Sequence, residues 1–451
     1  MRWQMKWSEQ EQKLGGGLVL LASDREPFPL ESEFCLYKAY SLADRAFCVE
    51  PGMVFDALSR LNLGRTGKIR QLQSLTVAEV SDKLRSLSWP HRFQHTRLTH
   101  SLRAGALHSL IAGQFGFSEQ EIAVGILAEC LHDIFTCAGG DSWKNINHQK
   151  TLFDEDDHFA EKIFRYYGPG WQALCQKYGF DPEKTAQEMQ DIVEGKGLRG
   201  QIHEVADTAS YMLGDLAEIK KAYERVGGQK FHEIILASQD DWDIWNHLKV
   251  LNGQLVVTNH SVLENFLRLR VTLWANLYQN PASKFLELLA RDVVYPYLVS
   301  RKLINLAELP TQGDIWLYSL VEREMGLTSG TWNRLDLLGQ FPMRMTFPTW
   351  GQAMDFEDHL YALRHFTVVF STKDFQETKS KTNQYFVQSF EGNVVSFKEA
   401  HPTASDSIDD IARKSTFSAE PINVCWVEKP VIPNNLRLAL EEARARLQER
   451  K

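Results

Sequence analysis

Cysteine is scarce in this chain. Cys35, Cys48, Cys130, Cys137, Cys175 and Cys425 are the only six in 451 residues, and no two form a Cys-x-x-Cys pair. This spacing argues against a disulfide framework or a zinc ribbon and leaves thiols expected to be buried and inert. Long apolar runs are also lacking. The early run Leu18–Ala22 is too short for a secretory hydrophobic segment or a membrane span, and nothing later approaches one. A cytoplasmic protein with no membrane partner is expected. Basic charge is not in excess: 50 Lys and Arg against 58 Asp and Glu give a net charge of −8. Non-specific nucleic-acid binding needs a basic face, so nucleic acid is not an expected partner, although a local basic pocket for a small anion is still allowed. Internal repeats and low-complexity tracts are missing too.

What remains is an ordinary globular composition, 43% hydrophobic and 24% charged, on a chain long enough for several cores. Residues 1–50 are irregular, with Gly15, Gly16 and Gly17 forming a flexible run. From about Val54 to Leu320 the apolar period is helical. Leu98–Phe115 and Gln201–Arg225 carry the pattern clearly, two further helices are expected over 262–304, and Ser118-Glu-Gln-Glu121 is a capping box. After about Pro310 the texture changes. Phe366–Phe370 and Asn423–Val427 predict strands, 372–420 is polar and predicts loops, and Leu436–Leu447 predicts a terminal helix. The expected fold class is mainly α with a smaller α+β C-terminal segment. Its divisions are an extension (1–50), a helical domain (51–325) and a C-terminal region (326–451) that covers a pocket or builds an oligomer interface.

The residues that carry chemistry begin with His132-Asp133, which follows the apolar helical stretch Ile126–Leu131. An imidazole beside a carboxylate can grip one divalent ion, or the histidine can simply cap the helix. His100, upstream on its own helix, and Asp207, downstream on a third, can complete a ligand set of two nitrogens and two oxygens. Such a mixed set suits manganese, iron, cobalt, nickel or zinc, with magnesium as a companion of a nucleotide. His95 competes with His100 for the first place, but His100 is followed by Ser101-Leu102 and a continuing apolar helix.

Asp207, Tyr211 and Asp215 recur every four residues and share a helix face. Arg97, three residues before His100, lies on the same side as that histidine, and a guanidinium there is a natural phosphate clamp. Arg270 and Tyr278 share a face of another helix, with Arg268 as the alternative arginine. In-line attack on phosphorus needs a proton donor for the leaving oxygen, and His148 and His158 are the candidates between the ligands. The acidic run Asp154–Asp157 beside His158 favours its protonated form. His203, four residues before Asp207, either orients that carboxylate or lies half-exposed on the helix.

Arg97-Leu-Thr-His100-Ser-Leu102, Leu131-His-Asp133 and Ala206-Asp207-Thr-Ala-Ser-Tyr211, in that order, resemble the HD superfamily of metal-dependent phosphohydrolases. The first and third elements are most similar to the deoxynucleoside triphosphate triphosphohydrolases, the group of the bacterial dGTPases and the sterile-alpha-motif HD enzymes. The resemblance covers about residues 55–320. It implies an HD-domain helical core, a nucleotide substrate, a homo-oligomer, and hydrolysis of a dNTP to deoxynucleoside and triphosphate. It also implies metal ligation by His100, His132, Asp133 and Asp207. Arg97 then contacts phosphates, Asp215 accepts from a sugar 3′-hydroxyl, and Tyr211 packs on the deoxyribose. Arg270 and Tyr278 line the phosphate and base end, Gln71 touches sugar and leaving-group oxygens, and His158 is the catalytic histidine. The sequence departs from the family after Asp133. A His-rich turn is expected there, and this chain has Ile134-Phe-Thr-Cys-Ala-Gly-Gly-Asp141, in which Asp141 can replace a histidine as the orienter of His158. Asn280 likewise stands where the family has a histidine. The departures leave room for a nucleoside monophosphatase or phosphodiesterase on the same site, or for a catalytically silent nucleotide sensor.

Overall fold

The computed structural model describes residues 37–39, 47–49, 53–61, 95–143, 158–278, 287–327, 343–371, 380–415, 422–427 and 433–448, some at segment edges by backbone alone. Gln71 and His148 lie outside these residues. The described chain is mainly helical, with a smaller α+β part at its C-terminal end.

A short hairpin, β1 (Tyr37–Ala39) and β2 (Phe47–Val49), leads to α1 (Met53–Arg60). α2 (Arg97–Ala112) starts at Thr96, whose hydroxyl accepts from the Thr99 N–H while Thr99 Oγ1 accepts from the Thr96 N–H. Nearly every residue of α2 is buried, so it is a central helix wrapped by others and not an amphipathic surface one. α3 (Glu119–Leu131) opens at Ser118 with the expected capping box to Glu121 and buries Ala123 to Leu131. His132 is its C-cap, and His132–Phe135 continue as a single 3₁₀ turn.

α4 (Phe159–Tyr178) and α5 (Pro182–Val193, capped by Asp181) pack beside α1 and α3. α6 (Gly197–Val226) is the longest helix; 30 residues span about 45 Å at 1.5 Å per residue. α7 (Gln229–Ala237) returns along it. The hairpin β3 (Leu248–Leu251) and β4 (Gln254–Val257) turns through Asn252 and Gly253, both at positive φ (53° and 75°), which is what a two-residue hairpin loop requires. α8 (His260–Leu273) ends in a π-helical turn, Trp274–Tyr278, and a second π turn, Leu289–Val294, leads into α9 (Tyr295–Ser300). α10 (Asp314–Glu324) follows.

The C-terminal part contains β5 (Met343–Phe347), α11 (Trp350–Ala362), β6 (Phe366–Ser371), β7 (Phe386–Gln388), β8 (Val394–Ser396), α12 (Phe397–Ala400), α13 (Pro402–Ser415), β9 (Ile422–Val427) and α14 (Asn434–Gln448). β9 lies between β5 and β6, antiparallel to both. β7 adds parallel to β4, so the later chain extends a sheet begun in the helical region. The expectation of loops through 372–420 is corrected over the described part. α13 buries Ile408 and Ala412 against α8, and two apolar residues a turn apart suffice to hold a polar helix once a partner face exists.

Two cores flank the site. One joins α1, α3, α4, α5 and the start of α2, and the other joins the end of α2 with α6, α7, α8 and Tyr385, Val387, Phe397 and Ile408. α2, α3 and α6 pack on one another between them. No helix among the described residues is long and apolar enough to cross a membrane. Cys130, Cys137, Cys175 and Cys425 are buried.

Candidate metal centre

Each of the three packed helices contributes to one point. His100 comes from the first turn of α2, His132 and Asp133 from the end of α3, and Asp207 from the middle of α6. His100 Nε2 lies 3.2 Å from His132 Nε2 and 3.0 Å from Asp207 Oδ1. His132 Nε2 is 3.5 Å from the same Asp207 oxygen. Asp133 Oδ2 stands 3.8 Å from His100 Nε2 and 3.6 Å from His132 Nε2. Ligand atoms of His100, His132 and Asp207 all lie within 4.8 Å of one another, so this cluster could hold a metal ion.

The hydrogen bonds behind these side chains aim them. His132 Nδ1 meets the Glu129 carbonyl at 2.6 Å, and a carbonyl only accepts, so Nδ1 carries the proton and Nε2 presents its lone pair. Ser210 Oγ donates to the His100 carbonyl at 2.7 Å, leaving that oxygen to accept from His100 Nδ1 at 3.0 Å, with the same result. Asp133 Oδ1 accepts from Arg97 at 3.0 Å and from Thr136 Oγ1 at 3.1 Å. Among the described residues its buried Oδ2 has no hydrogen-bond partner. Two ring nitrogens facing each other with the free carboxylate oxygen beside them leave donor capacity that a cation satisfies. The donor set therefore fits a divalent transition metal.

Electrostatics follow the same geometry. Burial alone raises Asp207, but the imidazole of His100, whose Nε2 is 3.0 Å away, and those of His132 and His203 carry its carboxyl well below the usual range. Burial likewise opposes Asp133 ionisation, and Arg97 and the two histidines outweigh it. Arg97 thus sits on the centre, engaged with one of its carboxylates.

The second group of expected residues forms a wall beside the centre. Arg270 Nε donates to the Tyr211 hydroxyl at 3.0 Å, and the rings of Tyr211 and Tyr278 meet edge-on with centroids 6.3 Å apart. The π turn ending α8 delivers the Tyr278 hydroxyl to Asp215 Oδ2 in a short hydrogen bond. Asp215 Oδ1 meets His95 Nδ1 at 2.9 Å, and Arg103 holds His95 Nε2 at 3.1 Å. Burial, with the charges of Arg103 and His100, keeps His95 well below its ordinary value, so its Nδ1 donates as a neutral imidazole. Burial pushes Asp215 up to about 7 against the opposing bond from Tyr278. His95 therefore belongs to the Asp215 wall, 6.2 Å from the His100 ring, and not to the ligand set.

Compared with solved structures, the chain is similar to a phosphohydrolase from Bacteroides thetaiotaomicron VPI-5482, with a TM-score of 0.55 and 14% identity over 86% of this chain and 98% of that one. The two share a fold. The chain matches no protein-family model and no curated protein sequence.

The remaining expected residues lie apart or outside the description. His158 precedes α4 in a left-handed conformation (φ 58°) with 76% of its side chain exposed, and its Nδ1 lies 3.9 Å from the Glu161 carboxylate. Asp141 is the second residue of the short turn Gly140–Trp143, and its side chain, like Gln71, is outside the described residues. The turn after Asp133 is pinned from elsewhere. The Gly139 N–H donates to Asp314 at 3.0 Å, and Trp143 stacks on Tyr295 with centroids 4.1 Å apart.

Sequence reasoning missed Glu129, His108, Ser210 and Arg103. Glu129 is 0% exposed and bridges His108 Nδ1 (2.8 Å) and His203 Nδ1 (2.9 Å). The signal was available: a carboxylate inside the apolar stretch Ile126–Leu131 must find donors when that helix is buried. Burial opposes both charges, and their mutual attraction prevails. Glu129 is lowered to about 2 and His203 raised to about 9.

Proposed function

We propose that this protein is a metal-dependent phosphohydrolase of the HD type acting on a nucleotide, with dNTP hydrolysis to deoxynucleoside and triphosphate as its reaction. The carrying observation is the convergence of His100, His132, Asp133 and Asp207 from three helices, with both imidazoles held so that Nε2 faces the cluster. The shared fold with a solved phosphohydrolase supports the same reading.

In this reading His100, His132, Asp133 and Asp207 hold a divalent transition metal such as manganese. The ion, when bound, lowers the pKa of a coordinated water and polarises the phosphorus centre. Arg97, already directed at Asp133, neutralises charge on the phosphates. Arg270 and Tyr211 form the wall along which the rest of the nucleotide lies, and Tyr278 with Asp215 closes its end. Gln71 touches the sugar and leaving-group oxygens. His158, oriented by Asp141, donates a proton to the leaving oxygen, which requires its exposed ring to be covered by substrate or by another copy of the chain. The homo-oligomer is part of the proposal on that account.

One observation favours a second substrate class. Both Asp215 oxygens are engaged, by His95 and Tyr278, and the residue is 0% exposed, so a sugar hydroxyl reaches it only by displacing one of them. A nucleoside monophosphate or phosphodiester bound without that contact meets no such cost.

The experiment is incubation of manganese-loaded protein with each dNTP, a nucleoside monophosphate and a phosphodiester, with products separated by chromatography. Intact triphosphate plus nucleoside is the expected result. Orthophosphate from a monophosphate alone replaces the first substrate with the second, and unchanged ligand with metal and nucleotide bound makes the protein a sensor.

A further inference from the structure

The 3₁₀ turn His132–Phe135 ends at Thr136, and this buried residue returns to Asp133 twice. Its backbone N–H donates to the Asp133 carbonyl at 3.0 Å and closes the turn. Its hydroxyl donates to Asp133 Oδ1 at 3.1 Å, and Arg97, arriving from α2, donates to the same oxygen at 3.0 Å. Two donors from two elements hold the carboxylate against rotation about χ2, a torsion that is otherwise soft. The other oxygen, Oδ2, is thereby left beside the ring nitrogens, 3.8 Å from His100 Nε2 and 3.6 Å from His132 Nε2. Among the described residues it has no hydrogen-bond partner. The backbone that carries Thr136 is tied down beyond the site: the Gly139 N–H donates to Asp314 at the start of α10, and Trp143 stacks on Tyr295. Thr136 therefore donates from a fixed position.

We infer that Thr136 is a positioning residue of the metal centre: its hydroxyl, together with Arg97, holds Asp133 so that Oδ2 alone is presented to the ion. The inference rests on the metal-centre part of the proposed function and requires no particular substrate. Arg97 supplies charge to the carboxylate, and Thr136 supplies direction, because a hydroxyl has one proton to donate and this one is committed to Oδ1. The arrangement does for the carboxylate what the Glu129 carbonyl and Ser210 do for the two imidazoles: each ligand is aimed by a partner behind it. Holding the ligand in advance lowers the ordering cost when the ion arrives.

The test titrates manganese into the apo full chain by calorimetry and records the visible spectrum of the cobalt-loaded protein, which reports on the ligand set. Thr136→Val keeps the shape of the side chain and removes the donor. It is expected to weaken manganese binding about 10–100-fold, the usual effect of losing such a partner, and to change the cobalt spectrum. Thr136→Ser keeps the hydroxyl and is expected to match the wild type in both measurements. Thr136→Ala serves in place of the valine variant if that one fails to fold. Wild-type affinity or an unchanged cobalt spectrum in Thr136→Val overturns the inference. An equal loss in Thr136→Ser overturns it too, since the hydroxyl would then not be the cause. If the wild-type protein itself binds neither manganese nor cobalt, the metal-centre reading fails first and takes this inference with it.

Discussion

The hydroxyl of Ser210 donates to the backbone carbonyl of His100 at 2.7 Å and therefore accepts from the Nδ1 of the same residue at 3.0 Å. One side chain on α6 thus fixes both the place and the tautomer of a ring on α2. Ser210→Ala is expected to leave the fold intact and to reduce metal affinity about 10–100-fold, the usual effect of losing such a partner. Titration of the apo protein with manganese measures it. Wild-type affinity would mean that the ring is held by packing alone.

Asp207 has the most exposed side chain of the four donors, 31%, and it reaches both histidines. Asp207→Ala should abolish turnover and remove most bound metal while the far-ultraviolet circular dichroism stays helical. Full activity in the variant would remove Asp207 from the site. His158→Ala offers the contrast, since turnover should fall further than metal content; an equal fall in both would make His158 a ligand.

The Glu129–His203 pair makes stability depend on pH at both ends. Glu129 binds its proton less tightly folded than unfolded, so its contribution is complete above its ordinary 4.5 and is lost as pH falls toward about 2. His203 is raised, so its contribution is complete below 6.5 and is lost as pH rises through about 9. Both describe one interaction, worth about 3 kcal/mol. Chemical denaturation of the apo protein across pH should show the wild type losing stability at both ends, and Glu129→Gln should flatten both limbs. A variant that keeps the alkaline limb would assign it to another group.

Two glycines face buried histidines. A Cβ on Gly214 would stand 2.2 Å from His95 Cε1, and one on Gly125 would stand 2.1 Å from His108 Nε2. Each ring is hydrogen-bonded behind, to Asp215 and Glu129, and has nowhere to retreat. Gly214→Ala and Gly125→Ala are each expected to cost about 1–3 kcal/mol or more, as overpacking does. The first should disturb the Asp215 wall and the second should leave it alone. Thermal unfolding gives the cost, and substrate KM separates the two.

α2 and α6 were legible because the residues that set their apolar period lie within a few residues of one another, and the Ser118–Glu121 capping box announced α3 for the same reason. α13 was not legible. Its sequence from Pro402 to Ser415 is polar, and only a face on α8 gives Ile408 and Ala412 something to cover. Glu129 stood in plain view, but its donors lie 21 and 74 residues away.

The sequence by itself determined which side chains could bind a metal, and on which helices, because ligand chemistry and helical spacing are local properties. Only the tertiary structure decided that His95 joins Asp215 and not the ligands, that Asp133 keeps one oxygen without a partner among the described residues, and that Glu129 ties His203 to the centre. Those outcomes depend on how α2, α3 and α6 cross. A crossing is fixed by packing distant side chains together at close to solid density, which no run of neighbouring residues encodes.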